Sequence, residues 1–335
     1  MHYRTWRRRQ RRQICGQVPY VKVRTCPGQG IFRGVTEEAS EGSVDKSTIT
    51  SEAAGRRSYL FVPGNRPERF AKAIGSGADA VIIDLEDAVP PHEKDAARDH
   101  VITHLRNAER GRVPTIVRIN SPRTIVGLVD LAALMTEARR SAAPGGILVP
   151  KATAADIALV GDLVADAGVV IELGALVETC AGIENAFSIA KASPRLSFLM
   201  FGGADLAAEL GVELAWEPLF VARAKLVQAA ASAGRFAIDM PWVALDDEEG
   251  ELAEMKRSFA LGFSGRAAIH PRQVGRIHAL LNPDPAAVAQ ARRVLAAYEA
   301  AGGAACLLDG RLVERPTIEH SRRVLARARL AEATQ

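Results

Sequence analysis

The sequence predicts an α/β fold: a (β/α)8 TIM barrel followed by a C-terminal helical segment. Three observations carry that prediction. Short apolar runs alternate with stretches of helical spacing, the pattern of buried parallel strands joined by helices. The alternation repeats eight times between residues 58 and 281, the count and length of such a barrel. No G-x-G-x-x-G follows the first strand, which argues against a doubly wound open sheet.

The expected strands cover residues 58–62, 80–85, 115–119, 146–149, 171–177, 196–201, 235–238 and 265–269. Residues that break the run follow them: Pro63-Gly64 after the first, Pro150 after the fourth, Gly202-Gly203 after the sixth and His270-Pro271 after the eighth. Helical spacing fills the gaps at 67–76, 92–107, 124–139, 154–167, 181–192, 218–233, 248–261 and 271–281. After Asn282-Pro283-Asp284-Pro285 come a helix at 286–301, a Gly-rich turn, a short apolar piece containing Asp309-Gly310, and a helix at 317–330. The chain is expected to divide into an extension (1–55), a barrel (56–282) and a C-terminal segment (283–335).

The extension carries no sustained period. From Arg4 to Arg33 it holds nine basic residues and no acidic one. It lacks the apolar core of a secretory signal. Its arginines would suit a transit peptide, and its composition favours a disordered extension. With 48% hydrophobic and 24% charged residues, the chain has ordinary globular composition. Net charge is +4, and without the basic arm the body is slightly acidic. The body shows no basic face interleaved with aromatics, which speaks against nucleic acid as a partner. No apolar run reaches the ~18 residues of a membrane span. The four cysteines, Cys15, Cys26, Cys180 and Cys306, form no C-x-x-C pair. Neither a zinc site nor a disulfide framework is indicated, and a reducing cytoplasm is expected.

In such a barrel the active site lies at the C-terminal ends of the strands. There the sequence places Asn65-Arg66, Asp84-Leu85-Glu86-Asp87, Arg118-Ile119-Asn120, Lys151, Glu178, Asp205, Asp239 and His270. Consecutive parallel strands lie side by side, so Glu178 and Asp205 are expected a few ångströms apart. Two ionised carboxylates that close need a cation or a shared proton. With no His or Cys ligand pattern nearby, a hard, oxygen-seeking ion such as Mg²⁺ fits. Arg118 offers a planar fork matched to a carboxylate. Glu86 and Asp87 could accept hydrogen bonds from metal-bound waters. Lys151 reads as a cation balancing the carboxylates, with a Schiff base as the other chemistry open to it. Asp84 and Asp239 read as caps or internal structural carboxylates. Cys180 reads as a small buried residue rather than a nucleophile, and His270 as the holder of the loop around Pro271.

These strings resemble a known family. They are Arg57-Ser58-Tyr59-Leu60-Phe61-Val62-Pro63-Gly64-Asn65-Arg66-Pro67-Glu68, the run from Asp79 to Val89, Val117-Arg118-Ile119-Asn120, Val149-Pro150-Lys151, Glu178-Thr179 with Gly182, Phe201-Gly202 with Asp205-Leu206, Leu261-Gly262-Phe263, and Ile269-His270-Pro271 with Gln273. In this order the chain resembles the citrate lyase beta-subunit-like proteins of the HpcH/HpaI aldolase family, which includes malyl-CoA and citramalyl-CoA lyases. The resemblance implies a (β/α)8 barrel, a trimer or dimer of trimers, Mg²⁺ and a CoA thioester. It implies Glu178 and Asp205 as metal ligands, Arg118 as the grip on the substrate carboxylate, and Glu86 and Asp87 as the acidic pair near the metal waters. It also implies a C-terminal lid that closes over a neighbouring subunit's site and donates an acid/base Asp. At the matching position stands Glu314. A second departure is Ser264, where the family commonly has Asp.

The expected function is a Mg²⁺-dependent acyl-CoA lyase that cleaves or forms the carbon–carbon bond between a CoA thioester and a small 2-oxo acid. Glu178 and Asp205 would hold the metal, Arg118 the oxo acid, and Glu314 would move the proton. Three alternatives stand beside it: a thioesterase on the same scaffold, a Schiff-base aldolase through Lys151, and a non-catalytic subunit that binds CoA esters.

Overall fold

The computed structural model describes residues 55–107, 113–140 and 142–333. The extension expected over 1–55 lies outside the described residues, Gly55 excepted. Eight parallel strands close into a barrel in chain order. They are β1 (Ser58–Pro63), β2 (Ala80–Asp84), β3 (Thr115–Arg118), β4 (Gly146–Val149), β5 (Glu172–Val177), β6 (Leu196–Phe201), β7 (Phe236–Asp239) and β8 (Gly265–Ala268). The ring closes where β1 pairs with β8, Ser58 opposite Arg266 and Leu60 opposite Ala268.

Strand alternation explains the continuous apolar runs. Tyr59, Ala80, Ile82, Ile116, Leu148, Phe198 and Met200 point into the barrel and pack on one another. Their neighbours Leu60, Val81, Ile83, Val117 and Leu199 point outward into the layer beneath the helices. Both faces are buried, so no polar alternation is needed. Gly174 makes room for the Phe198 ring: a Cβ there would lie 2.2 Å from Phe198 Cζ.

Twelve α-helices are described: α1 (Phe70–Ile74), α2 (Lys94–Asn107), α3 (Ile125–Ala138), α4 (Ala154–Asp166), α5 (Cys180–Glu184), α6 (Ala186–Lys191), α7 (Gly203–Leu210), α8 (Trp216–Ser232), α9 (Glu248–Leu261), α10 (Pro271–Leu281), α11 (Pro285–Ala300) and α12 (Arg315–Ala333). Side-chain caps fix where several begin. Thr124, Thr153 and Thr179 each accept a backbone N–H in the first turn of the helix that follows.

The helices depart from the sequence pattern in three ways. Tight 3₁₀ turns, Pro67–Arg69 and Pro91–Glu93, precede α1 and α2. The run at 181–192 splits at Asn185, whose backbone N–H and side-chain Nδ2 both donate to the Ala181 carbonyl. Helix α7 was not expected. It opens on Gly203 without a side-chain cap and ends at Gly211 in the left-handed region.

Asp239 is the internal structural carboxylate expected of it. It joins Arg223, Arg266 and Glu254 in a buried quartet. Arg223 Nε lies 3.1 Å from Asp239 Oδ1, and Arg266 Nη2 lies 2.6 Å from Glu254 Oε1. The Arg223 guanidinium sits between the Phe201 and Trp216 rings, 5.0 and 4.8 Å from their centroids. Two cations balance two anions here.

Beyond α10, α11 and α12 flank an antiparallel hairpin, β9 (Cys306–Leu308) with β10 (Arg311–Val313). Asp309 and Gly310 both take positive φ at its turn, as a two-residue type I′ hairpin requires. Val294, Val313 and Ile318 form the small core of this segment.

Asp239→Ala would leave two buried guanidinium groups to share one carboxylate, Glu254. The variant is expected to lose about 3–5 kcal/mol of stability, measured by chemical denaturation, and a loss below about 1 kcal/mol would show that the quartet is not charge-balanced as described.

Candidate active site

Asp84, the last residue of β2, is buried and fully engaged. Its Oδ1 accepts from the Glu86 N–H (2.8 Å) and from Arg118 Nε (2.7 Å). Its Oδ2 accepts from the Ala88 N–H (3.0 Å) and from Arg118 Nη2 (2.6 Å). One carboxylate thus ties the loop after β2 to the arginine at the end of β3. Sequence reasoning took Asp84 as a structural carboxylate and missed that it holds Arg118. Arg118 also stacks on Phe61, 5.3 Å from the ring centroid. Its Nη1 lies 3.0 Å from Glu86 Oε2 and 3.7 Å from Asp87 Oδ2. Burial opposes the Arg118 charge, but the bonds to Asp84 and the nearby Glu86 and Glu178 outweigh it and raise its pKa. With one edge clamped by Asp84, the Nη1 end faces the site.

The loop is held from below as well. Lys94 Nζ donates to the Leu85 and Glu86 carbonyls, at 2.7 and 2.6 Å. Asn120 Nδ2 donates to the Leu85 carbonyl at 2.9 Å and to Asp130 Oδ2 at 2.7 Å. Nothing in the sequence pattern marks Lys94; Asn120 is visible only as the polar residue past strand three.

Lys151, after β4, is the meeting point of the other groups. Its backbone takes φ 45°, a conformation that costs a non-glycine residue energy. Its Nζ donates to Glu86 Oε1 at 2.8 Å and lies 3.1 Å from Asp205 Oδ2. Glu178 Oε1 and Asp87 Oδ2 are each 3.9 Å from the same nitrogen. Partial burial opposes the charge, but the bonds to Glu86 and Asp205 prevail and raise the lysine pKa. A Schiff-base lysine must lose its proton, and this environment opposes that loss.

Glu178 follows β5 and is buried. Its Oε1 accepts the Lys151 backbone N–H at 2.8 Å. Gly202 lets the two chain segments approach: a Cβ at 202 would come within 2.3 Å of Glu178 Cβ and 2.7 Å of its Oε2. Burial, then the charge of Glu86, push the Glu178 pKa up to about 8. Asp205 lies in the first turn of α7 rather than at a bare strand end, and its side chain is 39% exposed. The expected pair therefore meets, with Glu86 and Asp87 beside it.

Other residues fall elsewhere. Cys180 opens α5 half-buried, not buried as expected; partial burial and Glu209 raise its thiol pKa, which keeps it protonated and poorly nucleophilic. His270 caps α10, accepting the Arg272 N–H, and Gln273 accepts the His270 N–H in return, so it holds the Pro271 loop as expected. Ser264 donates to the Ala237 carbonyl at 3.0 Å. Glu314 is exposed between β10 and α12; none of the described hydrogen bonds or ion pairs joins it to the cluster within one chain. Arg66, Arg69 and Lys72 form an exposed basic group on the loop and first helix after β1.

The HpcH/HpaI aldolase/citrate lyase family model matches residues 57–271. This chain belongs to that family. The matched stretch contains every residue of the cluster and ends before Glu314. A (3S)-malyl-CoA thioesterase of Cereibacter sphaeroides is 40% identical over 279 residues, 81% of this chain and 94% of the relative. An L-malyl-CoA/beta-methylmalyl-CoA lyase of Rhodobacter capsulatus is 34% identical over 305 residues, 82% and 95% of the two chains. Among solved structures, CitE from Mycobacterium tuberculosis, in complex with magnesium, acetoacetate and coenzyme A, superposes with a TM-score of 0.67 at 34% identity, covering 83% of this chain and 99% of that one.

The donor set of this family member suits one cation class. Among the described residues, no group of three or more His, Cys, Asp or Glu side chains gathers as a metal site. What gathers is a lysine ammonium with Glu178 and Asp205 on one side and Glu86 and Asp87 on the other. Mg²⁺ takes one or two carboxylates and keeps several waters, whereas zinc takes a closed N/S set. The Gly202 cradle and the excess of carboxylates over cations around Lys151 both fit a small divalent ion. Burial pushes the Glu178 carboxyl pKa up to about 8, and an ion held there would have to expel its proton. Mg²⁺ affinity is therefore expected to rise by up to about tenfold per pH unit until Glu178 is ionised, then level off; calorimetric titration from about pH 6 to pH 9 checks this, and a flat profile contradicts it.

Proposed function

We propose that this chain is a Mg²⁺-dependent acyl-CoA lyase, making or breaking the carbon–carbon bond between a CoA thioester and a small 2-oxo acid. The observation that carries the reading is the convergence of Glu178, Asp205 and Arg118, an anion-gripping fork beside two metal-binding carboxylates. The magnesium-, acetoacetate- and coenzyme A-bound relative and the malyl-CoA lyase relative support it. Bound Mg²⁺ would act as a Lewis acid on the oxo-acid carbonyl.

Glu178 and Asp205 hold that ion. Asp84 clamps Arg118 so that its Nη1 end meets the substrate carboxylate, and the fixed fork orients the acid for reaction. Glu86 and Asp87 orient water near the metal. Arg66, Arg69 and Lys72 offer charge to the phosphates of CoA. The other carbon fragment leaves as a thioester enolate and needs a proton at carbon. Glu314 of a neighbouring copy donates it, in a homotrimer or hexamer acting in the cytoplasm. A second reading, hydrolysis of the CoA ester, is favoured by the thioesterase relative.

A panel of CoA esters, assayed with Mg²⁺ and with EDTA for both oxo acid and free thiol, tests the reading. Metal-dependent release of oxo acid is expected. Free thiol without oxo acid makes the chain a thioesterase, and full activity in EDTA rules out the metal role. Glu314→Gln is expected to lose most lyase turnover, with CoA-ester binding kept. Mixing Glu314→Gln chains with Arg118→Ala chains is expected to restore part of it; no recovery in mixed oligomers counts against a site built from two copies.

A further inference from the structure

We infer that Lys151 is a tethered counter-cation, one shared between Glu178 and Asp205 on one side and Glu86 and Asp87 on the other until a divalent ion leaves it on Glu86 and Asp87 alone. The inference rests on the two-carboxylate metal site proposed above and adds a competitor built into the chain.

The geometry is that of a cation shared between two pairs. On one side of Nζ stand the candidate ligands, Asp205 at 3.1 Å and Glu178 at 3.9 Å. On the other stand Glu86 at 2.8 Å and Asp87 at 3.9 Å. The ammonium is drawn to all four carboxylates, and its backbone accepts a left-handed φ of 45° to bring it there. A group of this kind solves a problem of the metal-free protein. Buried carboxylates without a cation repel one another or take up protons, and Lys151 spares the cluster part of that penalty. The same ammonium repels an arriving divalent ion at close range, an effect that solvent reduces but does not remove at a distance of a few ångströms. Glu86 and Asp87 give it a second berth within reach of its flexible stem, so entry of the metal requires only a pivot of the side chain.

Mg²⁺ binding to the full chain, measured by calorimetry, tests this without any assay of turnover. Lys151→Met is expected to bind Mg²⁺ at least about tenfold more tightly than wild type. Lys151→Arg keeps the charge and is expected to gain nothing. Glu86→Gln removes the second berth and should weaken binding clearly in the wild-type background, but much less in the Lys151→Met background. Circular dichroism of each variant confirms the fold. Equal or weaker binding by a folded Lys151→Met, or an equal effect of Glu86→Gln in both backgrounds, overturns the tethered cation while leaving the metal site standing. Absence of Mg²⁺ binding by wild type overturns the metal site and this inference together.

Discussion

The pair of Asp84 and Arg118 is the constraint on which the rest of the site depends. Asp84 is buried and its four acceptor positions are filled by two backbone N–H groups and two guanidinium N–H groups. The first two set the path of the loop that carries Glu86 and Asp87. The second two set the plane of the arginine. Loop and arginine therefore cannot move independently. Lys94 and Asn120 complete the hold from the carbonyl side. Fixed donors and acceptors of this kind need no reorganisation when charge develops on a substrate, which is where preorganised sites gain their advantage.

The barrel divides its rim between two tasks. Asp84, Arg118, Lys151, Glu178 and Asp205 follow five consecutive strands, β2 to β6, which are neighbours in the ring. Charges from adjacent strand ends converge because parallel order puts every C-terminus on one face. The next two strands, β7 and β8, spend their charges differently. Asp239 and Arg266 turn to the internal quartet with Arg223 and Glu254. A quartet of two cations and two anions is self-contained. The five-strand cluster is not: it has more carboxylates than cations. That excess is the chemical reason to expect a metal at one place and only a structural brace at the other.

Most of the fold was legible in the sequence, and each barrel strand begins and ends within one residue of its apolar run. Strands buried on both faces are read reliably because most residues are apolar and the stop is abrupt. Helix α7 was missed for the opposite reason: it is short, opens on glycine and has no capping side chain. The ionic groups of the site were legible one by one, since each stands at a strand end. Their pairing was not. Strand order put Glu178 beside Asp205, but side-chain reach decides whether Arg118 pairs with Asp84 or with Glu86, and spacing along the chain carries no reach. Lys94 is the extreme case, an ordinary lysine at a helix start that folds back onto two carbonyls.

The cluster also explains how relatives named as a lyase and as a thioesterase can resemble one chain so closely. Under the proposed reading, gripping the acid through Arg118 and holding a cation at Glu178 and Asp205 would serve both outcomes. The outcomes part only afterwards. Carbon–carbon cleavage leaves a thioester enolate that needs a proton at carbon, whereas hydrolysis needs water at the thioester carbonyl. The family match ends at residue 271. Glu314 is outside it, on an exposed strand-to-helix junction after β10. A glutamate there reaches one methylene further than the aspartate the family resemblance leads one to expect. Under the proposed role for Glu314, where a ~1 Å displacement can change a rate by about a hundredfold, that methylene would bear on which outcome wins with the cluster itself unchanged.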